Sequence, residues 1–244
     1  MDEKREPPMP PPIRRGLSPL RLALASAYLG FVALLYFGFS PFSAGHWRTP
    51  PPPAATRALV PLEAHIMSKC PDARDCLREM VLPAMQRAHE KVNFTLSFIG
   101  TPTDRDDGVA CKHGAEECLG NIIELCAQRL YPDPKTFLGF TMCLTRDYKH
   151  IPQRSLIEDC ALEHAIDFSA LNECATKDDG ALGVGMLRDS VKRTAEAGVT
   201  KSCTVRLNNQ IYCVRDGGEW KECPSGPGVN DLVVEIEKLY RSSS

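Results

Sequence analysis

Apolar positions along the chain change their spacing twice. From Leu22 to Phe39 they run almost unbroken as LALASAYLGFVALLYFGF, and no charged side chain occurs between Leu22 and Gly45. At ~1.5 Å per residue such a run spans about 27 Å, close to the ~30 Å hydrocarbon core of a bilayer. Residues 22–45 are therefore expected to form a single N-terminal transmembrane signal anchor, or a signal peptide cut near Ser43 and Gly45. Proline-rich stretches isolate this segment, a tail over residues 1–21 containing Pro7–Pro12 and a linker over residues 46–58 containing Pro50–Pro53. Arg14, Arg15 and Arg21 precede the run closely and only Arg48 and Arg57 follow, which predicts a cytosolic tail and a type II protein whose remaining residues face a lumen.

From residue 59 to residue 244 the spacing is that of a globular domain. Leu59 to Met67 is mostly apolar, as a strand covered on both faces would be, and it runs directly into Ser68-Lys69-Cys70-Pro71-Asp72. Pro71 and Asp72 suit the first turn of a helix over residues 72–89, whose apolar face includes Leu77, Val81 and Met85 and which Pro83 is expected to bend. Residues 92–99 read as a second strand, ended by Gly100. Residues 115–197 are largely helical in pattern. They precede two short strands, residues 203–207 and 210–215, joined by Asn208-Asn209, a pair that tolerates the positive φ angles of a two-residue turn. An amphipathic helix over residues 230–240 places Leu232, Val233, Ile236, Leu239 and Tyr240 on one face. The order predicts an α/β domain with a helical insert.

Charge and cysteine content narrow the chemistry. Lys and Arg number 29 against 31 Asp and Glu, a net charge of −2, so no basic field exists to hold a nucleic-acid backbone. All eleven cysteines lie between Cys70 and Cys223, which points to an oxidising compartment and leaves at least one sulfur unpaired within the chain. Cys70 is the candidate for chemistry. At a helix N-terminus the unpaired N–H groups and the helix dipole favour thiolate, the species that attacks disulfides, and Lys69 adds a cation nearby. The alternative is that Cys70 is half of an ordinary structural disulfide. Cys76 lies about 9 Å along the helix axis, beyond the ~7 Å limit for a bond to Cys70. Cys203, just before the hairpin, is the better resolving partner, because its loop is expected to pack beside the start of the first helix.

The densest motif runs from Cys111 to Cys126. Gly114 permits a turn, Glu117 suits a first helical turn, and Leu119, Ile122, Ile123, Cys126 and Leu130 form a buried stripe. Cys118 and Cys126 stand two turns apart and cannot bond each other, so each needs an outside partner. Cys111, His113, Gly114, Glu117, Cys118, Asn121 and Cys126 match every fixed position of the gamma-interferon-inducible lysosomal thiol reductase signature, and the chain resembles that family from about residue 59 to 222. The resemblance implies a thioredoxin-like fold with a disulfide-stapled insert and no cofactor. It also implies reduction of protein disulfides in an acidic lysosomal or vacuolar lumen, with Cys70 as nucleophile. Two positions depart from the family. Ala73 stands where its second active-site cysteine lies, and Thr200-Lys201-Ser202-Cys203 occupy the loop that usually carries a cis-proline.

The second functional reading is a catalytically silent lumenal binding or chaperone-like module with Cys70 locked in a disulfide. A metal site built on Cys111 and His113 lacks the short paired spacings of zinc ligands. Cys160 and Cys174 are expected to staple two short helices together, and some of Cys203, Cys213 and Cys223 to tie the hairpin to its neighbours. Asn93-Phe94-Thr95 is a glycosylation acceptor on a strand. His65, on the first strand, is expected to be buried and hydrogen-bonded.

Overall fold

The computed structural model describes residues 26–29, 31–33, 57–104 and 108–243. The chain divides into two units, Met1–Ala54 and Ala55–Ser244. In the first, residues 26–29 and 31–33 are helical; the rest of the expected anchor, the tail and most of the linker lie outside the described residues. Among the described residues no helix is long and apolar enough to cross a membrane.

The second unit begins with strand β1 (Val60–Ile66), whose Leu62, Ala64 and Ile66 are fully buried. Helix α1 (Pro71–Cys76) follows, then a π turn over Leu77–Val81 and helix α2 (Leu82–Ala88). Pro83 has no N–H to offer the carbonyl four residues back, and its ring crowds that carbonyl. The helix therefore widens into the π turn just upstream, which is the form the expected bend takes. Strand β2 (Val92–Phe98) returns beside β1, with Leu62 opposite Phe94 in a parallel ladder. Asn93 is exposed on β2, which forms one edge of the sheet. A small ribbon, β3 (Thr101–Pro102) with β4 (Val109–Ala110), leads to the helical insert.

The insert comprises α3 (Ala115–Leu130), α4 (Pro134–Arg146), α5 (Arg154–Glu163), α6 (Phe168–Thr176) and α7 (Ala181–Glu196). Helix α7 packs on β2, where Ser190 Oγ accepts the Phe98 N–H at 2.9 Å, and α3 packs against α7. The chain then forms β5 (Thr204–Leu207), β6 (Gln210–Asp216) and the short edge strand β7 (Glu219–Lys221), and ends in α8 (Val229–Ser242). Asn208 and Asn209 turn the β5–β6 hairpin with φ of 50° and 63°. The sheet order is β2-β1-β5-β6-β7, with β5 antiparallel to both neighbours. A parallel β-α-β unit joined to an antiparallel hairpin and a closing helix is the thioredoxin-like arrangement, with five helices inserted after β2.

Ten cysteines form five disulfides: Cys76–Cys203, Cys111–Cys118, Cys126–Cys174, Cys143–Cys160 and Cys213–Cys223. The expected Cys160–Cys174 staple is thereby corrected. Cys160 on α5 faces Cys143 on the preceding helix, and Cys174 on α6 reaches back to Cys126 on α3. The insert is stapled, but by bonds that follow the packing α4 against α5 and α3 against α6. Cys118 and Cys126 indeed bond separate partners. His65 is fully buried, with Nδ1 2.9 Å from Thr194 Oγ1 and Nε2 3.2 Å from Glu63 Oε2. Burial pushes its pKa below the usual histidine value, although the Glu63 hydrogen bond and charge pull the other way.

Candidate active site

The free sulfur is Cys70. It occupies the N-cap of α1 in an extended conformation, φ −103° and ψ 129°, and its carbonyl accepts the Arg74 N–H at 3.3 Å, which closes the first helical turn. Cys70 is 9% exposed, and its thiol points at the Ser202 carbonyl oxygen, 3.7 Å away. Ser202 thus faces Cys70 from the loop before β5, and the Ser202–Cys203 peptide is cis.

The four residues that carry Cys70 out of β1 are each tied down. Met67 N–H donates to Ser202 Oγ at 2.8 Å, and Cys70 N–H donates to the Met67 carbonyl at 3.1 Å. Ser68 N–H donates to Asn121 Oδ1 at 3.0 Å, while the Ser68 hydroxyl donates to the Glu117 carbonyl at 3.2 Å. Lys69 does not supply the expected cation beside Cys70. Its ammonium turns away to the Glu116 carboxylate at 2.7 Å and the Ile151 carbonyl at 2.5 Å. On the opposite side Asp72 accepts the Gly217 and Gly218 N–H groups at 3.0 and 2.9 Å, docking the β6–β7 turn onto the start of α1.

The Cys111–Cys126 motif is the other half of this clamp. Cys111 and Cys118 bond each other and close the entrance to α3, and Gly114 at its N-cap has φ 84°, a conformation that suits glycine. His113 N–H donates to Glu117 Oε1 at 3.3 Å and its ring pairs with Glu117 Oε2, so His113 serves helix entry. Asn121 accepts from Ser68 with one end of its amide and donates to Cys111 Sγ at 3.8 Å with the other. Gly120 lets α3 approach the loop closely, since a Cβ there would lie 2.7 Å from Ser68 Oγ and 2.4 Å from Ile151 Cγ2. The hydrogen-bond acceptor of the Cys70 thiol, Ser202, lies outside the motif, while Glu117 and Asn121 hold the segment that presents it.

With Cys111, Cys118 and Cys126 all in disulfides, the motif keeps no thiolate with which to hold a metal ion. Among the described residues the group close enough to share a metal ion is Cys143, Glu163 and His164, and its Cys143 sulfur is bonded to Cys160.

Cys203, expected as the partner of Cys70, is bonded to Cys76. The structure does bring Cys203 to the start of the first helix, as expected, but one turn deeper. The sequence signal for Cys76 is its place on the stripe Ala73, Cys76, Leu77, Met80 and Ala84, all fully buried, which turns it toward the sheet and β5 rather than toward Cys70. Ala73 lies on the same stripe.

A protein-family comparison matches residues 61–164 to the gamma interferon inducible lysosomal thiol reductase model. Over that stretch the chain is similar to this reductase family. GILT-like protein 1 of Drosophila melanogaster is 27% identical over 174 residues, covering 65% of this chain and 69% of that protein. The gamma-interferon-responsive lysosomal thiol protein of Arabidopsis thaliana is 37% identical over 70 residues, covering 29% of this chain and 27% of its own length. Among solved structures, the thiol-disulfide exchange protein alpha-DsbA2 of Wolbachia pipientis has a TM-score of 0.49 at 13% identity, covering 91% of this chain and 100% of that one. The matched stretch contains Cys70 and the Cys111–Cys126 half of the clamp, and it ends before Ser202 and the β6–β7 turn.

Proposed function

We propose that the protein reduces disulfides of polypeptide substrates through Cys70, in the lumen of the secretory pathway, lysosome or vacuole, held to the membrane by residues 22–45. The observation that carries this reading is that Cys70 keeps a free thiol at the start of α1 while all ten other cysteines are bonded. The similarity of residues 61–164 to a thiol reductase family supports the same reaction class. The Cys70 thiolate attacks one sulfur of a substrate disulfide, forming a mixed disulfide and releasing the other substrate sulfur as a thiolate. A second thiol must then free Cys70, and residue 73 is alanine. A cleft of about 630 Å3 bordered by Met67, Ile99, Lys112, Val199 and Thr200 gives an extended substrate room beside the Cys70 loop.

The silent-module alternative rested on Cys70 being locked in a disulfide, and Cys70 has none. The deciding assay is reduction of insulin by the full-length chain with a small thiol as donor, at pH 5 and pH 7. Cys70→Ser is expected to reduce the rate by at least ~100-fold, because serine cannot form the mixed disulfide. Activity that survives in Cys70→Ser overturns the proposal.

A further inference from the structure

We infer that Cys203 is the resolving cysteine of this chain and Cys76 its exchange partner, so that Cys70, Cys203 and Cys76 act as a three-sulfur relay. The inference rests on Cys70 being the nucleophile and adds the second half of the cycle. Three observations carry it. Cys203 directly follows Ser202, whose carbonyl oxygen is 3.7 Å from Cys70 Sγ and whose hydroxyl accepts the Met67 N–H at 2.8 Å, so the two loops are fastened together. The Cys203 backbone is itself fixed by paired hydrogen bonds with Arg215, 3.1 and 2.8 Å long. Cys76 and Cys203 are both 0% exposed whereas Cys70 is 9% exposed, so a bulky disulfide meets Cys70 first. The competing disulfide is Cys111–Cys118, which connects to the Cys70 loop through Asn121, hydrogen-bonded to both Cys111 Sγ and the Ser68 N–H.

The steps balance within the chain. Cys70 thiolate attacks the substrate disulfide, forms Cys70–S–S–R and releases the first substrate thiolate. Cys203 thiolate attacks the Cys70 sulfur, forms Cys70–S–S–Cys203 and releases the second substrate thiolate. Cys76 thiolate then attacks the Cys203 sulfur, forms Cys76–S–S–Cys203 and returns Cys70 as thiolate. Two electrons pass from the Cys76/Cys203 dithiol to the substrate, whose two thiolates take up protons. The arrangement in the structure, Cys70 free and Cys76 bonded to Cys203, is the end state of that sequence. A small thiol reductant entering through Cys70 by the reverse exchanges reopens the pair.

The test is peptide mapping of the full-length Cys76→Ser protein, alkylated and digested without reduction. The relay requires a Cys70–Cys203 crosslinked peptide and no free thiol. Cys70 and Cys203 both alkylated, or a bond from Cys70 to Cys111 or Cys118, overturns it. Because Cys76→Ser removes a buried bond, a second measurement uses the intact pair. Wild type and Cys70→Ser, reduced until Cys76–Cys203 opens, are mixed with a disulfide-bonded peptide, and reclosure of the pair is followed by quenched alkylation. Reclosure at least ~100-fold slower in Cys70→Ser supports the relay. Equal rates, or a lasting substrate adduct on Cys70 with Cys76 and Cys203 still alkylated, overturn it. If insulin reduction is lost in Cys70→Ser while no Cys70–Cys203 bond forms, the relay fails and Cys70 remains the nucleophile; retained activity in Cys70→Ser removes both.

Discussion

Replacing Glu124 by glutamine tests how a buried carboxyl in the clamp helix couples the fold to pH. Glu124 lies in α3, is fully buried, and neither of its carboxyl oxygens has a hydrogen-bond partner. Burial pushes its pKa well above the ordinary glutamate value and the charge of Glu117 adds to this. The Thr141 hydroxyl beside it offsets a part without reaching hydrogen-bond geometry. The folded protein therefore holds a proton on Glu124 that the unfolded chain releases above about pH 4.5. Unfolding releases a proton in that window, so stability must fall as pH rises, by about 1.4 kcal/mol per pH unit, until the folded-state pKa is reached. His65 acts with the opposite sign. Its lowered pKa means the unfolded chain binds a proton that the folded chain refuses, so this contribution rises with pH up to about 6.5. Both proteins share the His65 contribution, and the difference between them isolates Glu124. Urea unfolding at half-unit steps from pH 5 to pH 6.5 should show Glu124→Gln gaining on wild type by about 1.4 kcal/mol for each pH unit over which Glu124 stays protonated. Parallel stability curves for the two proteins would refute the reasoning, because Glu124 would then carry the same charge folded and unfolded. A fold that loses stability as this proton leaves suits the acidic lumen proposed for it.

Asn121→Ala removes the acceptor of the buried Ser68 N–H, which should cost about 1–3 kcal/mol in urea unfolding and speed alkylation of Cys70 by iodoacetamide in the native protein. Gly120→Ala should lower the melting temperature through about 1–3 kcal/mol of overpacking, because its new methyl would sit 2.4 Å from Ile151 Cγ2. Ala73→Cys places a thiol at the third helical position facing the N-cap. The Cα separation of i and i+3 in a helix is roughly 5 Å, inside the range a disulfide accepts. Thiol titration of the unreduced, unfolded protein should fall from one per chain to none; two thiols would mean that the start of α1 does not bring positions 70 and 73 within disulfide reach.

What the sequence made legible was what repeats along it. The apolar run of β1, the spacing that buries one face of α8, and Asn208-Asn209 each announce their structure locally. Strand β7 escaped because three residues with only Trp220 half-buried leave no alternation to read, and β3 and β4 are two residues each. The disulfide pairs escaped for a different reason. Cys143 and Cys160 stand 17 residues apart and Cys126 and Cys174 stand 48 apart, so what joins them is the way helices pack, which no local pattern encodes.

The odd cysteine was readable, since Cys70 was singled out by its place between a strand and a helix start and it is the one left free. Its surroundings were not, because the residues around it are recruited from distant segments. Ser202 comes from 132 positions away and Asn121 holds the loop across 53. The same recruitment explains why the motif from Cys111 to Cys126 is conspicuous in the sequence although the acceptor of the Cys70 thiol, Ser202, lies outside it. A loop that must hold a thiol at the edge of solvent cannot be fastened by its own four residues. Ser68 needs an acceptor for its buried N–H, and Glu117 and Asn121 supply both of its partners one helical turn apart on α3. That turn is in place because Cys111–Cys118 and Glu117 with His113 fix where the helix begins. In the proposed reaction Cys70 carries the chemistry, while the motif fixes where Cys70 stands.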